Sequence, residues 1–84
     1  MVYVDDMNMS YKGMKMSHMI ADTTEELYEM AEKIGVDKTH IQFKGTYKEH
    51  FDICKAKKQK ALKFGALQIT WRQAGEIIIK RKRT

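Results

Sequence analysis

Two carboxylates stand side by side at Asp5 and Asp6, directly after the short apolar run Val2-Tyr3-Val4. Adjacent acids are stable together only with a cation, hydroxyls or backbone N–H groups to accept from. The pair therefore suits a divalent metal or the hydroxyls of a ribose, the bland account being one loop cap and one solvated charge. Two His/Asp pairs follow, His18 with Asp22 and His50 with Asp52. Imidazole beside carboxylate can ligate a metal or move protons near neutral pH. Equally, Asp22 and Asp52 can be helix caps with each histidine bonded to backbone. Spacing alone leaves these three readings open. Lys55, Lys57 and Lys58 fall where a helix should begin, and cations there oppose the helix dipole by roughly 0.3–1 kcal/mol each. An anion docked at that helix end would reverse the sign; a solvated basic helix is the alternative. Cys54, near the same helix start, reads as a small packed side chain more readily than as a nucleophile. His40 has no such company and reads as surface.

These residues need elements to carry them. Val2-Tyr3-Val4 is β-branched and aromatic, as a short buried strand requires. The methionine-rich stretch MNMSYKGMKM reads as a loop, and Ser17 to Asp22 as the lead into a helix. Thr23 with Glu26 forms a capping box. Leu27, Met30, Ala31 and Ile34 then share one helical face, and Gly35 supplies the stop, so the pattern predicts a helix over 24–34. Ile41-Gln42-Phe43 predicts a second strand and residues 53–64 a second helix ending at Gly65. Leu67, Ile69 and Trp71 alternate as a third strand. Thr70 and Gln73 form another capping box. Ala74, Ile77 and Ile78 would follow it as a helix face, whereas Gly75 and the isoleucines favour a strand. Strand–helix–strand order implies parallel strands with right-handed crossovers, and such sheets carry ligand sites at the carboxyl ends of their strands. Asp5, Asp6, His18, Asp22, His50, Asp52 and Thr70 would then meet on one rim. Pleating sends Asp5 and Asp6 to opposite faces, so one of the two should enter the site.

The chain of 84 residues bounds a single domain with a thin core. An apolar share of 43% and a charged share of 32% are those of a globular protein. No apolar run approaches the roughly 20 residues that span a bilayer, and a signal-peptide pattern is absent from the N-terminal sequence. One cysteine precludes an internal disulfide and suits a reducing compartment. The net charge of +5 points to anionic partners, with the basic end KRKRT a possible nucleic-acid contact or a solvated tail. No Gly-rich phosphate loop, zinc-finger spacing or nucleophile elbow is present, which counts against common nucleotide hydrolases and dehydrogenases.

VYVDD at 2–6, SHMIAD at 17–22 with EEL at 25–27, Gly35, HFD at 50–52, Lys57-Lys58 and Gly65-Ala66 together resemble one family. It is domain of unknown function 4031, small proteins of bacteria and their phages, and the resemblance covers residues 2 to about 73. Where that family commonly has tryptophan before the Ser-His pair, Met16 stands here. Where a hydroxyl residue and proline often follow His-aromatic-Asp, Cys54 and Lys55 stand here. The first departure weakens a stacking role at that position and the second a catalytic role for Cys54. The resemblance supports a fold and a site and carries no established activity; occurrence in phages makes sequestration of a host nucleotide signal one concrete version of a binding function.

The expectation is one α/β domain over 1–84: three mostly parallel strands with flanking helices, a Rossmann-like fragment, and a basic tail at 80–84. A phosphorylated, nucleotide-like small molecule would bind through Asp5, Asp6, His18, Asp22, His50, Asp52, Lys57 and Lys58. The alternatives are a phosphoesterase or nuclease holding a divalent metal such as Mg²⁺ on Asp5, Asp6, His18 and Asp22, and a module binding host protein or nucleic acid. A homo-oligomer, no membrane contact and a cytoplasmic setting (the host's, if phage-encoded) complete the expectation.

Overall fold

The computed structural model describes residues 1–7 and 9–82, with the side chain of Tyr11 also outside the description. Its elements in chain order are β1 (Val2–Val4), β2 (Met9–Tyr11), β3 (Met14–Ala21), α1 (Thr24–Ile34) and a short 3-10 turn (Lys38–His40). Then come β4 (Phe51–Cys54), α2 (Lys55–Lys63), β5 (Leu67–Gln68) and α3 (Trp71–Lys82). The five strands form one mixed sheet. β3 is its spine, antiparallel to β1 and β2 along one side and to β4 along the other, and only β1 and β5 run parallel.

The expected three-stranded, mostly parallel, Rossmann-like sheet is thus corrected, for a local reason. The stretch expected to be a loop is a tight hairpin: Lys12 and Gly13 both take positive φ, 49° and 79°, as a two-residue turn of the primed type requires. The chain therefore reverses directly after β2, and no crossover helix intervenes before the central strand. The stretch expected to lead into α1 is the second half of that strand. Ile41-Gln42-Phe43 is no strand either. Gln42 makes a single antiparallel bridge to His50, and Phe43 sits at φ 55° with its ring exposed. Trp71 opens α3 instead of ending a strand, and the choice left open at 74–78 resolves as helix.

Alternation along the strands sends side chains to two faces. Val2, Val4, Met19, Ala21, Phe51 and Ile53 meet the buried stripe of α1 and Ala61 of α2 in the main core. Tyr3 and Ile20, one residue out of phase, meet Ile69 and Ala74, Ile77 and Ile78 of α3 in a smaller second core. Both pairs engage, Thr70/Gln73 as a full capping box and Thr23/Glu26 with the threonine hydroxyl in place of its backbone N–H. Thr23 accepts from the Glu26 backbone at 3.2 Å while its hydroxyl donates to the Glu26 carboxylate at 2.9 Å. Gln73 N–H donates to Thr70 at 3.2 Å and Thr70 N–H to Gln73 at 2.9 Å. Among the described residues no helix is long and apolar enough to cross a membrane. Lys80, Arg81 and Lys82 of the expected tail form the last turn of α3, while the tail's last two residues lie outside the described residues.

Gly35 ends α1 at φ 78°, donating to Ala31 and Glu32 carbonyls. Left-handed backbone costs a residue with a Cβ roughly 1–2 kcal/mol. The added methyl of Gly35→Ala would also lie 3.1 Å from Lys57 Nζ. A urea titration of Gly35→Ala is therefore expected to show about 1–2 kcal/mol less stability, and an unchanged midpoint would contradict this account of the helix stop.

Candidate functional site

The antiparallel spine builds a row that a parallel sheet was expected to build. In the β3–β4 register His18 faces Asp52. On the other side of β3, the ladder with β1 ends at Val4 opposite Met19, and Asp5 N–H continues it by donating to the His18 carbonyl at 3.0 Å. Asp5, His18 and Asp52 are thus neighbours across three strands. His50, two residues before Asp52, lies on the same face by the strand period. This is the α3 face of the sheet, and the His18 and His50 rings meet edge to face with centroids 5.0 Å apart.

Asp5 is buried, with a side chain only 1% exposed. Its Oδ1 accepts from the backbone N–H of His18 at 2.9 Å and of Met7 at 3.2 Å, and its Oδ2 faces His18 Nδ1 at 2.7 Å. Burial alone would push this carboxyl's pKa up. The hydrogen bonds from the His18 ring and backbone, the ring's charge and the Met7 N–H outweigh burial and hold it below its ordinary value. The hydrogen bond to Asp5 raises the His18 pKa; burial opposes this, and the charges of Asp5 and Asp52 add to it. The ionised carboxylate accepts a hydrogen bond from Nδ1–H, so His18 presents Nε2 toward Asp52, with Oδ1 3.7 Å away. His50 Nδ1 lies 2.9 Å from the Lys48 carbonyl, which can only accept; Nδ1 therefore carries hydrogen, and Nε2 faces the same Asp52 Oδ1 at 3.4 Å. That oxygen is buried and, among the described residues, has no hydrogen-bond partner. Two imidazoles and a carboxylate of this kind can relay protons or share an ion.

The row is flanked by two hollows. A groove of about 670 Å³ opens on Asp52, with apolar walls from Met9, Met16 and Ile41 and polar ones from Ser10, Thr39 and Gln42. A cavity of about 200 Å³ lies between the row and α3, bordered by His18, His50, Trp71 and Ala74.

The other expected site residues are placed elsewhere. Asp6 accepts from the Trp71 backbone N–H at 2.8 Å, an acid at the start of α3 where the dipole favours it. Asp22 accepts from the Tyr3 hydroxyl through both oxygens at 3.1 Å. Lys57 Nζ donates to Ile34 O at 2.9 Å, which places the cation at the carboxyl end of α1, where it is favourable. Lys58 Nζ donates to the Asp5 carbonyl at 2.7 Å. Lys57 and Lys58 are thus explained by neighbours in the fold. Cys54 precedes α2 without capping it through its side chain.

Sequence reasoning named Asp52 but missed the other groove residues, and it missed the buried Glu49 with its partner Arg81, whose guanidinium lies 3.2 Å from it. No local spacing marks the groove, because the hairpin and the 3-10 turn that build it come from distant segments. Glu49 had one available signal, an acid set beside alternating His50-Phe51-Asp52-Ile53.

A family model described as "Protein of unknown function (DUF4031)" matches residues 2–81. No curated protein matches the chain, and no solved structure does.

Proposed function

Because the chain belongs to the DUF4031 family, whose description assigns no activity, we propose its function from the site: binding of a phosphorylated, nucleotide-like small molecule in the groove that opens on Asp52. The groove's make-up carries this reading. Its volume of about 670 Å³ lies within the roughly 300–1,000 Å³ usual for small-molecule sites. Met9, Met16 and Ile41 suit the faces of a flat ring, while Asp52, Ser10, Thr39 and Gln42 suit sugar hydroxyls. A second depression shares Thr39 and Ile41 with the groove and adds Lys38 and Lys44. The phosphate is assigned there, since Lys57 and Lys58 are engaged with backbone carbonyls. Lys38 pairs with Glu32 at 3.4 Å, both side chains being mostly exposed, and such a pair is worth so little that phosphate can displace it.

A second reading, hydrolysis of a phosphate ester, is favoured by the Asp5–His18 contact. A buried carboxylate that fixes the outer nitrogen of an imidazole leaves the inner one able to take a proton from water.

Thermal shift and calorimetry against inorganic phosphate, nucleosides, nucleoside phosphates and cyclic nucleotides test both, with mass spectrometry of the recovered ligand. A phosphorylated ligand is expected to raise the melting temperature and be bound more tightly than its nucleoside. Thr39→Trp, at an exposed position, should fill the groove and weaken binding at least tenfold, while loss of the Thr39 hydroxyl's bond to Asp37 costs no more than about 1 kcal/mol of stability. Absence of any such ligand, or affinity untouched by Thr39→Trp, sinks the binding reading. Recovery of a cleaved product from the wild type but not from His18→Gln would establish hydrolysis.

A further inference from the structure

We propose that His18, His50 and Asp52 together bind one divalent ion of the zinc-like, imidazole-preferring class, with Asp5 and the Lys48 carbonyl orienting the two rings from behind. This goes beyond the ligand assigned to the groove and stands whether or not such a ligand binds.

Three observations converge. Among the described residues, His18, His50 and Asp52 are the one group of three ligating side chains whose chosen atoms all lie within 4.8 Å of one another. The two Nε2 atoms stand 3.7 and 3.4 Å from Asp52 Oδ1. Ligands about 2.1 Å from a tetrahedral ion are roughly 3.4 Å apart, so only the wider separations need to close, by small side-chain rotations. Second, the outer nitrogens are already held: His18 Nδ1 by Asp5 at 2.7 Å and His50 Nδ1 by the Lys48 carbonyl at 2.9 Å. Metal-bound imidazoles use this arrangement, in which a carboxylate or carbonyl fixes the tautomer that leaves Nε2 free. Third, Asp52 Oδ1 is buried without a hydrogen bond. A carboxylate oxygen so placed is destabilising until a cation meets it.

The donor set also selects the ion. Two imidazoles and one carboxylate suit zinc, cobalt, nickel or iron, whereas magnesium prefers oxygen alone and keeps its water. The Mg²⁺ site expected on Asp5, Asp6, His18 and Asp22 is therefore replaced. Asp5 stands behind His18, Asp6 takes the Trp71 N–H, and Asp22 takes the Tyr3 hydroxyl. Three protein ligands leave a position open for water or an anion; Asp52 borders the groove, and His18 and His50 border the smaller cavity beside α3.

The test uses the full chain stripped with a chelator, with Co²⁺ as the optical probe and Zn²⁺ as its competitor. One Co²⁺ per chain is expected, with visible absorption bands that Zn²⁺ abolishes and millimolar Mg²⁺ does not. His50→Ala and Asp52→Asn should each weaken Co²⁺ binding at least a hundredfold. Asp5→Asn should weaken it about 10–100-fold, and Asp22→Asn and Cys54→Ser should leave it unchanged. Circular dichroism of each stripped variant separates loss of binding from loss of fold, and Asp52→Asn, equal in size at a half-buried position, is the variant least exposed to that confusion. No 1:1 uptake, uptake indifferent to a folded Asp52→Asn, loss of uptake in Cys54→Ser, or displacement by Mg²⁺ would each overturn the proposal.

Discussion

Alanine at position 5 is expected to remove about 3–5 kcal/mol of folding stability. The Asp5 carboxylate is 1% exposed and accepts from two backbone N–H groups and an imidazole. Asp5→Ala leaves all three donors without their acceptor. A domain of this size is held by roughly 5–10 kcal/mol in total, so the variant should be partly unfolded at moderate urea. Asp5→Asn keeps the volume and one acceptor oxygen, and should lose less than Asp5→Ala. Urea unfolding of both variants at pH 6, with chelator present, measures the difference. A loss below about 1 kcal/mol for Asp5→Ala would show that the pair contributes little to the fold.

The same pair fixes the direction of the pH response. The Asp5 pKa is lowered from 3.8, so its contribution is present above that value and is lost as pH falls through the still lower folded value. The His18 pKa is raised from 6.5, so its contribution is complete below that value and is lost as pH rises through the higher folded value. The pair should therefore be worth most between about pH 4 and pH 6.5 and decline on either side. Asp5→Asn should flatten the alkaline limb, because without the carboxylate nothing favours the protonated ring so strongly. If the two proteins show parallel profiles from pH 6 to pH 9, His18 is not held by Asp5 in solution.

Local chemistry was legible in the sequence where one segment decides it. Thr23/Glu26, Thr70/Gln73 and the stripe Leu27, Met30, Ala31, Ile34 are each set by contacts three or four residues apart, and all three form. Strand direction was not, because it is set between segments. The Lys12-Gly13 turn reverses the chain in two residues, and a lysine at positive φ leaves no compositional trace. The convergence of Asp5, His18, His50 and Asp52 nonetheless appears, through a different geometry from the expected one. Only β1 and β5 bring parallel carboxyl ends together, at Val4 and Gln68; the histidines join Asp5 through opposed positions on antiparallel strands, at Val4–Met19 and His18–Asp52. Alternation of His50 and Asp52 with buried Phe51 and Ile53 marks a strand face, and that period of two was the signal available for setting the pair opposite β3. For Lys57 and Lys58 the missing knowledge was tertiary: their partners are carbonyls of residues 34 and 5, distant in sequence.

Glu49→Ala is expected to cost about 3 kcal/mol, and in a different manner from Asp5. Its carboxylate, 1% exposed, accepts from Arg81 in the last turn of α3, from the Thr24 hydroxyl in the first turn of α1 and from Gly45 N–H in the loop before β4. Arg81 also reaches the Ala21 carbonyl at 3.4 Å. Three segments therefore lean on one charge. The apolar contact holding α3 is small, with Ile20, Ile69 and Ala74 as its buried members, so a polar tie at the far end of the helix carries a large share of its attachment. Losing Glu49 should raise amide hydrogen exchange in α3 before it does so in α1, whose stripe lies in the main core. Arg81→Met, which leaves the acid buried and without its guanidinium, should be as damaging, and the double variant less so than the sum, with a coupling of about 1–3 kcal/mol. Co²⁺ binding at His18, His50 and Asp52 should survive in folded Glu49→Ala, because Glu49 points to the helix ends and not into the row. Equal exchange rates for α3 in the wild type and Glu49→Ala would show that the second apolar core holds the helix unaided.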